Sequence, residues 1–161
     1  MSRSNPDKPY VIANYLLEKS EASRKPLTNK ALQKIVYYCQ AWSLVIRDEK
    51  LFDEPIEAWI HGPAIPSLYR RYSRHSYNPI VEDVDKNLLN NLTDDEKSLI
   101  DEVWDAYGGF DAGYLEALTH REEPWQKART SLLPFESSDA EITTDSMKEF
   151  YGKRLEESEQ A

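Results

Sequence analysis

The stretch from Thr28 to Ile46, TNKALQKIVYYCQAWSLVI, decides the architecture. Leu32, Ile35, Val36, Cys39, Trp42, Leu44 and Ile46 recur at mixed three- and four-residue spacings, the period of an α-helix. The stripe is wider than a helix resting on a single surface needs. This helix is therefore predicted to be central and buried over much of its circumference. Thr28 is suited to cap it, because its hydroxyl can accept from an unpaired amide of the first turn. The charged run Arg47-Asp48-Glu49-Lys50 ends it.

A central helix needs neighbours, and both flanks supply them. Val11, Ile12, Tyr15 and Leu16 predict a helix over 9–20, with Pro9 in its first turn. Downstream, Pro66 opens a helix carrying Leu68, Tyr69 and Tyr72. Thr93-Asp94-Asp95-Glu96 is a capping box ahead of Leu99, Ile100, Val103, Trp104 and Tyr107. Gly108 is expected to end that helix in a left-handed turn. Asp111 caps a short helix to Leu118, Pro124 opens another, and Thr144-Asp145 starts the last, with Met147, Phe150, Tyr151 and Leu155 inward. Pro55 to Ile60 alternates apolar and polar, and Ile80-Val81 is expected to lie beside it as a second short strand. The fold class is mainly α: a compact single-domain bundle of about six helices with at most a small two-stranded β-hairpin. The domain spans 9–155, with residues 1–8 and 156–161 as flexible ends.

Composition narrows the function. The chain has 161 residues, 20 basic against 29 acidic, a net charge of −9, one Cys and five Gly. A single domain of this size can bury a core. One Cys excludes an internal disulfide, and with the polar start of the chain it predicts a cytoplasmic protein. No run of 18 uncharged apolar residues exists to cross a membrane. No glycine-rich phosphate cradle occurs either. Residues 1–50 carry nine basic and five acidic side chains, whereas 51–161 carry eleven and twenty-four. That acidic field disfavours nucleic acid as a partner.

No catalytic constellation is assembled by spacing. His61, His75 and His120 lie far apart, and neither H-E-x-x-H nor C-x-x-C accompanies them. His75 reads as solvated, and His61 and His120 as bonded at turns. Cys39 sits in the apolar stripe and reads as a small hydrophobe. The pairs Glu54/Glu57 and Glu122/Glu123 read as solvated faces. Trp42 and Trp104 read as core. The basic and aromatic run from Tyr69 to His75 suits either a solvated helix face or docking onto an acidic protein surface. Two stretches, 58–69 and 118–125, each set a Trp and a His beside a proline-shaped turn. Such rigid aromatic turns either wedge elements together or anchor a partner.

Three ordered motifs resemble one family. LQKIVYYCQAW, residues 32–42, resembles the K-L-L-Y-Y-A-Q-type helix of the Panacea domain, which includes SocA-like antitoxins and phage-associated GepA-like proteins. Residues 51–59, LFDEPIEAW, followed by Gly62-Pro63, are similar to its L-F-x-E-x-I-E-A-W-x-x-G-P signature. Leu118-Thr119-His120 with Pro124-Trp125 is similar to its L-T-H…P-W motif. His61 departs from the aromatic common there, and Ala64-Ile65 replace the usual valine pair. The likeness covers roughly Tyr10 to Arg129.

The resemblance implies an antitoxin, not an enzyme, that neutralises a toxin encoded beside it by direct protein contact. One relative is an adaptor that delivers its toxin to an ATP-dependent protease, so a protease is a second implied partner. No metal or other cofactor is expected. The candidate partner-binding residues are Trp59, His61, Gly62, Pro63, Pro66, Tyr69, Arg70, Arg71, Arg74, His120 and Trp125. Acidic patches over 82–105 are the second choice, for a basic toxin. The alternatives are a metal-dependent hydrolase using His61 and His120, and a DNA-binding regulator.

Overall fold

Burial of the central helix sets the order of everything around it. The computed structural model describes residues 7–160. In chain order these form α1 (Lys8–Ser23), α2 (Asn29–Ile46), β1 (Glu57–Trp59), β2 (Gly62–Ala64), α3 (Pro66–Tyr72), α4 (Asp94–Tyr107), α5 (Ala112–His120), α6 (Glu123–Ala128) and α7 (Thr144–Gln160). Short 3-10 turns cover Ser73–His75 and Lys86–Asn91. This is the expected mainly α bundle with one small hairpin.

Helix α2 is packed against α1, α3, α4, α5, α7 and the hairpin, so nearly its whole circumference is dry. Thr28 Oγ1 accepts the Ala31 amide at 3.2 Å, as its position foretold. Polar residues inside such a helix must be hydrogen-bonded or they cost stability. Gln40 meets that demand by clamping the next segment. Its Nε2 donates to the Phe52 carbonyl at 2.7 Å, and its Oε1 accepts the Leu51 amide at 2.7 Å. Gln33 Oε1 accepts the Ile65 amide at 2.9 Å, just ahead of α3. The buried glutamines thus dock loops onto the helix.

The capping box at Thr93 and Glu96 opens α4, and Asp111 caps α5. Gly108 is right-handed (φ −65°), not left-handed as expected: the chain leaves α4 with the ring of Trp104 lying where a side chain at 108 would sit. Helix α1 runs three residues past Ser20 and ends at Arg24, which takes the left-handed cap (φ 55°). Lys8, assigned to the N-terminal end segment, is already helical and its Nζ donates to Glu96 at 2.7 Å; residues 1–6 lie outside the described residues. Residues 156–160 continue α7, because Glu and Gln are good helix formers and no Pro or Gly interrupts them.

The hairpin differs from expectation in its second strand. Strand β1 pairs with β2, Trp59 opposite Gly62, so the turn is only Ile60-His61. Ala58 lies opposite Pro63 and sends its amide to the Ala140 carbonyl (2.8 Å), while its own carbonyl accepts Arg129 Nη1 (2.7 Å). Pro63 therefore occupies a position where no amide is needed from it. Ile80 instead gives its amide to the Leu27 carbonyl at 2.9 Å, so 80–81 pairs with the loop ahead of α2.

One expected surface pair is divided. Glu123 is exposed, but Glu122 is buried (4% exposed) among tyrosines. Its Oε1 accepts Tyr38 Oη at 2.7 Å and Tyr151 Oη at 2.8 Å. Tyr151 has spent its proton on Glu122, so the 2.9 Å contact with Tyr37 Oη has Tyr37 as donor. Tyr107 stacks on Tyr38 with centroids 3.9 Å apart and accepts Trp42 Nε1 at 3.0 Å. The network ties α2, α4, α6 and α7 together. Trp104 is buried, as expected of core, and Trp42 half-buried.

Candidate functional site

The hairpin stands with α3 and α5 over the first half of α2 and leaves a cleft of about 870 Å³. Trp59, His61, Gly62 and Tyr69, four of the expected residues, line it together with Lys30, Lys34 and Tyr77. Trp59 packs edge-on to Tyr69, centroids 5.1 Å apart, and its Nε1 donates to Glu57 at 2.9 Å. Beneath the hairpin, Trp125 Nε1 donates to the Trp59 carbonyl at 2.8 Å and its ring stacks on His120 at 3.9 Å. The two aromatic turns singled out in the sequence therefore meet.

The remaining expected residues go elsewhere. Pro63 is buried against β1 and Pro66 opens α3. Arg70 and Arg71 are exposed on the outer side of α3, and Arg74 is exposed on the 3-10 turn that follows it. The Arg71 guanidinium lies 3.5 Å from the Tyr10 ring centroid, and Arg74 pairs with Glu82 at 2.8 Å. Glu82 also accepts His75 Nε2 at 2.6 Å. His75 is thus half-buried rather than solvated, because its ring fills the gap beside Tyr72.

His61 and His120 share no ligand set. His61 Nδ1 is 3.1 Å from Glu116 Oε2 and its side chain is exposed. His120 is held below the usual imidazole range by burial, and its Nε2 has no partner among the described residues. No group of three or more His, Cys, Asp or Glu is gathered to hold a metal ion among the described residues. Cys39 is fully buried, and burial pushes its thiol up.

Lys34 is the residue the sequence reading passed over. It is 3% exposed, yet it lines the cleft. Burial pulls its ammonium down to about 7, the charge of Lys30 adds to the effect, and Glu116 opposes both. The signal was present: Lys34 is the single charged side chain between Ala31 and Ile46.

Gly62 makes this placement possible. Its φ is +111°, and a β-carbon there would come within 2.6 Å of Lys34 Cε and 3.1 Å of Thr119 Oγ1. Gly62→Ala is expected to cost about 1–3 kcal/mol through backbone strain and that clash. Thermal unfolding checks it, and an unchanged melting temperature would contradict the strain argument.

No helix among the described residues is long and apolar enough to cross a membrane. The family described as antitoxin SocA-like, Panacea domain, matches residues 32–126, from α2 through the hairpin to α6. Antitoxin SocA of Caulobacter vibrioides (strain NA1000 / CB15N) is 32% identical over 125 residues. That match covers 71% of this chain and 66% of the relative, just under two thirds of its length. No solved structure matches. A central helix, an aromatic hairpin and a clamped L-T-H…P-W turn, all within the matched segment, accompany that likeness: the chain belongs to the SocA-like antitoxin, Panacea-domain family.

Proposed function

We propose that this protein is an antitoxin that neutralises a cognate toxin by direct protein–protein binding, using the face formed by the hairpin, Tyr69 and the arginines of α3. The observation that carries the reading is family membership, which spans the elements that build this face. Trp, Tyr and Arg side chains are the residue types that anchor protein interfaces. Tyr69 and Tyr77 are exposed at the cleft, and Arg70 and Arg71 are exposed on the outer side of α3. A stable interface buries about 1,600 Å² in total, about half of it on each partner.

The test is co-expression with the product of the adjacent reading frame. Wild-type protein is expected to restore growth and to co-purify with that product. Arg70→Glu with Arg71→Glu is expected to fold normally, since both side chains are exposed, and to lose most of the rescue. Full rescue by the double variant would remove the α3 face from the interface. Failure of the wild type to bind or rescue would remove the antitoxin reading. The adaptor mode, delivery to an ATP-dependent protease, additionally requires that toxin half-life in cells shorten when this protein is present. An unchanged half-life leaves neutralisation by binding alone.

A further inference from the structure

We infer that the hairpin cleft is an anchor pocket for a carboxylate on the partner polypeptide, an Asp or Glu side chain of the toxin, with Lys34 as its counter-ion. This rests on the antitoxin reading for the identity of the partner, but the pocket's chemistry stands on its own geometry.

Three observations lead here. First, Lys34 is buried at the cleft yet takes part in no hydrogen bond or ion pair among the described residues; it meets only the charges of Lys30 and Glu116 at longer range. Buried charges are ordinarily paired, because an isolated one is expensive to desolvate. Lys34 is therefore an amine with no anion beside it, and it keeps its proton only part of the time at neutral pH. Second, the charges around it do not supply one. Glu116 of α5 is already committed to Lys30 of α2 and to His61 of the hairpin turn. His120, also on α5 and within electrostatic reach of Lys34, is held below the usual imidazole range by burial and supplies no anion; its Nε2 has no partner among the described residues. Lys30 and Lys34 thus face one carboxylate that is already paired, in a chain whose net charge is −9. The local sign opposes the global one.

Third, the walls suit a peptide side chain. Trp59, Tyr69 and Tyr77 give flat apolar surface for methylenes, and Ser137 and Ser138 give hydroxyls at the rim. Gly62 removes the one side chain that would press on the lysine stem. A carboxylate entering between these walls meets an ammonium at the floor, in surroundings dry enough for a charge-assisted bond to be strong.

Protonation gives the inference a sign. With the amine held near 7, about half of the free protein is charged at neutral pH. A bound carboxylate favours the charged form, so binding takes up a proton and weakens as pH rises from about 6 to about 8.

The experiment uses two probes on the full chain. The first is N-acetylglutamate N-methylamide, set against its glutamine counterpart, with the Lys34 Cε–Hε NMR signals assigned by their loss in Lys34→Met. The acid is expected to shift those signals saturably and raise the lysine's midpoint, whereas the amide does neither. No shift, or an equal shift from the amide, would overturn the pocket. The second probe is the cognate toxin, titrated onto wild type and Lys34→Met. The variant is expected to bind about 30-fold more weakly and to lose the pH dependence. Circular dichroism and melting verify that it remains folded. Equal binding by the two proteins sinks the inference while the antitoxin reading survives. Absence of toxin binding by the wild type sinks that reading, and the acid probe then decides the pocket alone.

Discussion

Replacing Lys34 by Met is expected to stabilise the fold by about 4 kcal/mol at neutral pH. Burial holds the folded-state amine at about 7, whereas an unfolded lysine titrates near its ordinary 10.5. Each unit of difference corresponds to about 1.4 kcal/mol. The folded state binds fewer protons between those two values, so stability rises with pH across that window. Below about 7 the whole penalty of keeping the charge buried is present. Met has nearly the same length and volume and no charge to desolvate, so it fills the space beneath Gly62 without that penalty. Urea unfolding at pH 7 and at pH 9 checks this. The wild type should gain stability between the two, and the variant should begin higher and show a flatter rise. A variant less stable than the wild type at pH 7 would show that the lysine holds the structure together.

Glu122→Ala is expected to act in the opposite direction, costing about 3–5 kcal/mol. The substitution strands the hydroxyls of Tyr38 and Tyr151 in a dry interior, and each unsatisfied buried group costs about 1–3 kcal/mol. Tyr37, which donates to Tyr151, is left on a partner whose own proton has no acceptor. The methylenes of Glu122 also leave a void. Helix α7 should loosen first, since Tyr151 is its buried tie to α6 and α2.

Glu122→Gln separates the charge from the hydrogen bonds. Burial raises the Glu122 carboxyl above the usual carboxylate range, against the pull of the two tyrosine bonds and of Arg154 and Arg121. A carboxyl raised in the folded state contributes stability that is whole below its unfolded value and is lost as pH climbs through its folded value. The wild type should therefore weaken along that rising limb. The glutamine keeps an acceptor oxygen for the tyrosines and removes the limb. Denaturant midpoints measured from acid to neutral pH for wild type, Glu122→Gln and Glu122→Ala distinguish the three. If the glutamine variant lost as much as the alanine one, the charge itself would be what the tyrosines require.

Much of the scaffold was legible because its causes are local. Thr28, the Thr93–Glu96 box and Asp111 cap helices through bonds spanning three residues. The position of α2 followed from one wide apolar run. The second strand of the hairpin was not legible. Gly62-Pro63-Ala64 has little intrinsic preference for a strand, and Pro63 is tolerated in one because Ala58 opposite it directs its amide and carbonyl away toward Ala140 and Arg129. Ile80-Val81 has the better strand composition and lies against Leu27 instead. In the candidate site, Trp59, His61, Gly62 and Tyr69 share one short stretch and were found together. The arginines of the same stretch point outward, since successive positions of a helix face different ways.

By itself, the sequence determined that this is a helical domain around a single buried helix, with capped helix starts and an aromatic, proline-shaped turn after Trp59, and it carried the motifs of its family. Those features depend on periodicity and on contacts a few residues long. Only the tertiary structure decided that Lys34 would be an unpaired, buried amine lining a cleft and Glu122 a carboxyl enclosed by tyrosines. The charge state and solvation of a side chain are set by what packs against it. For Glu122 those partners lie 84 and 29 residues away along the chain, and for Lys34 they arrive on a hairpin and on α5.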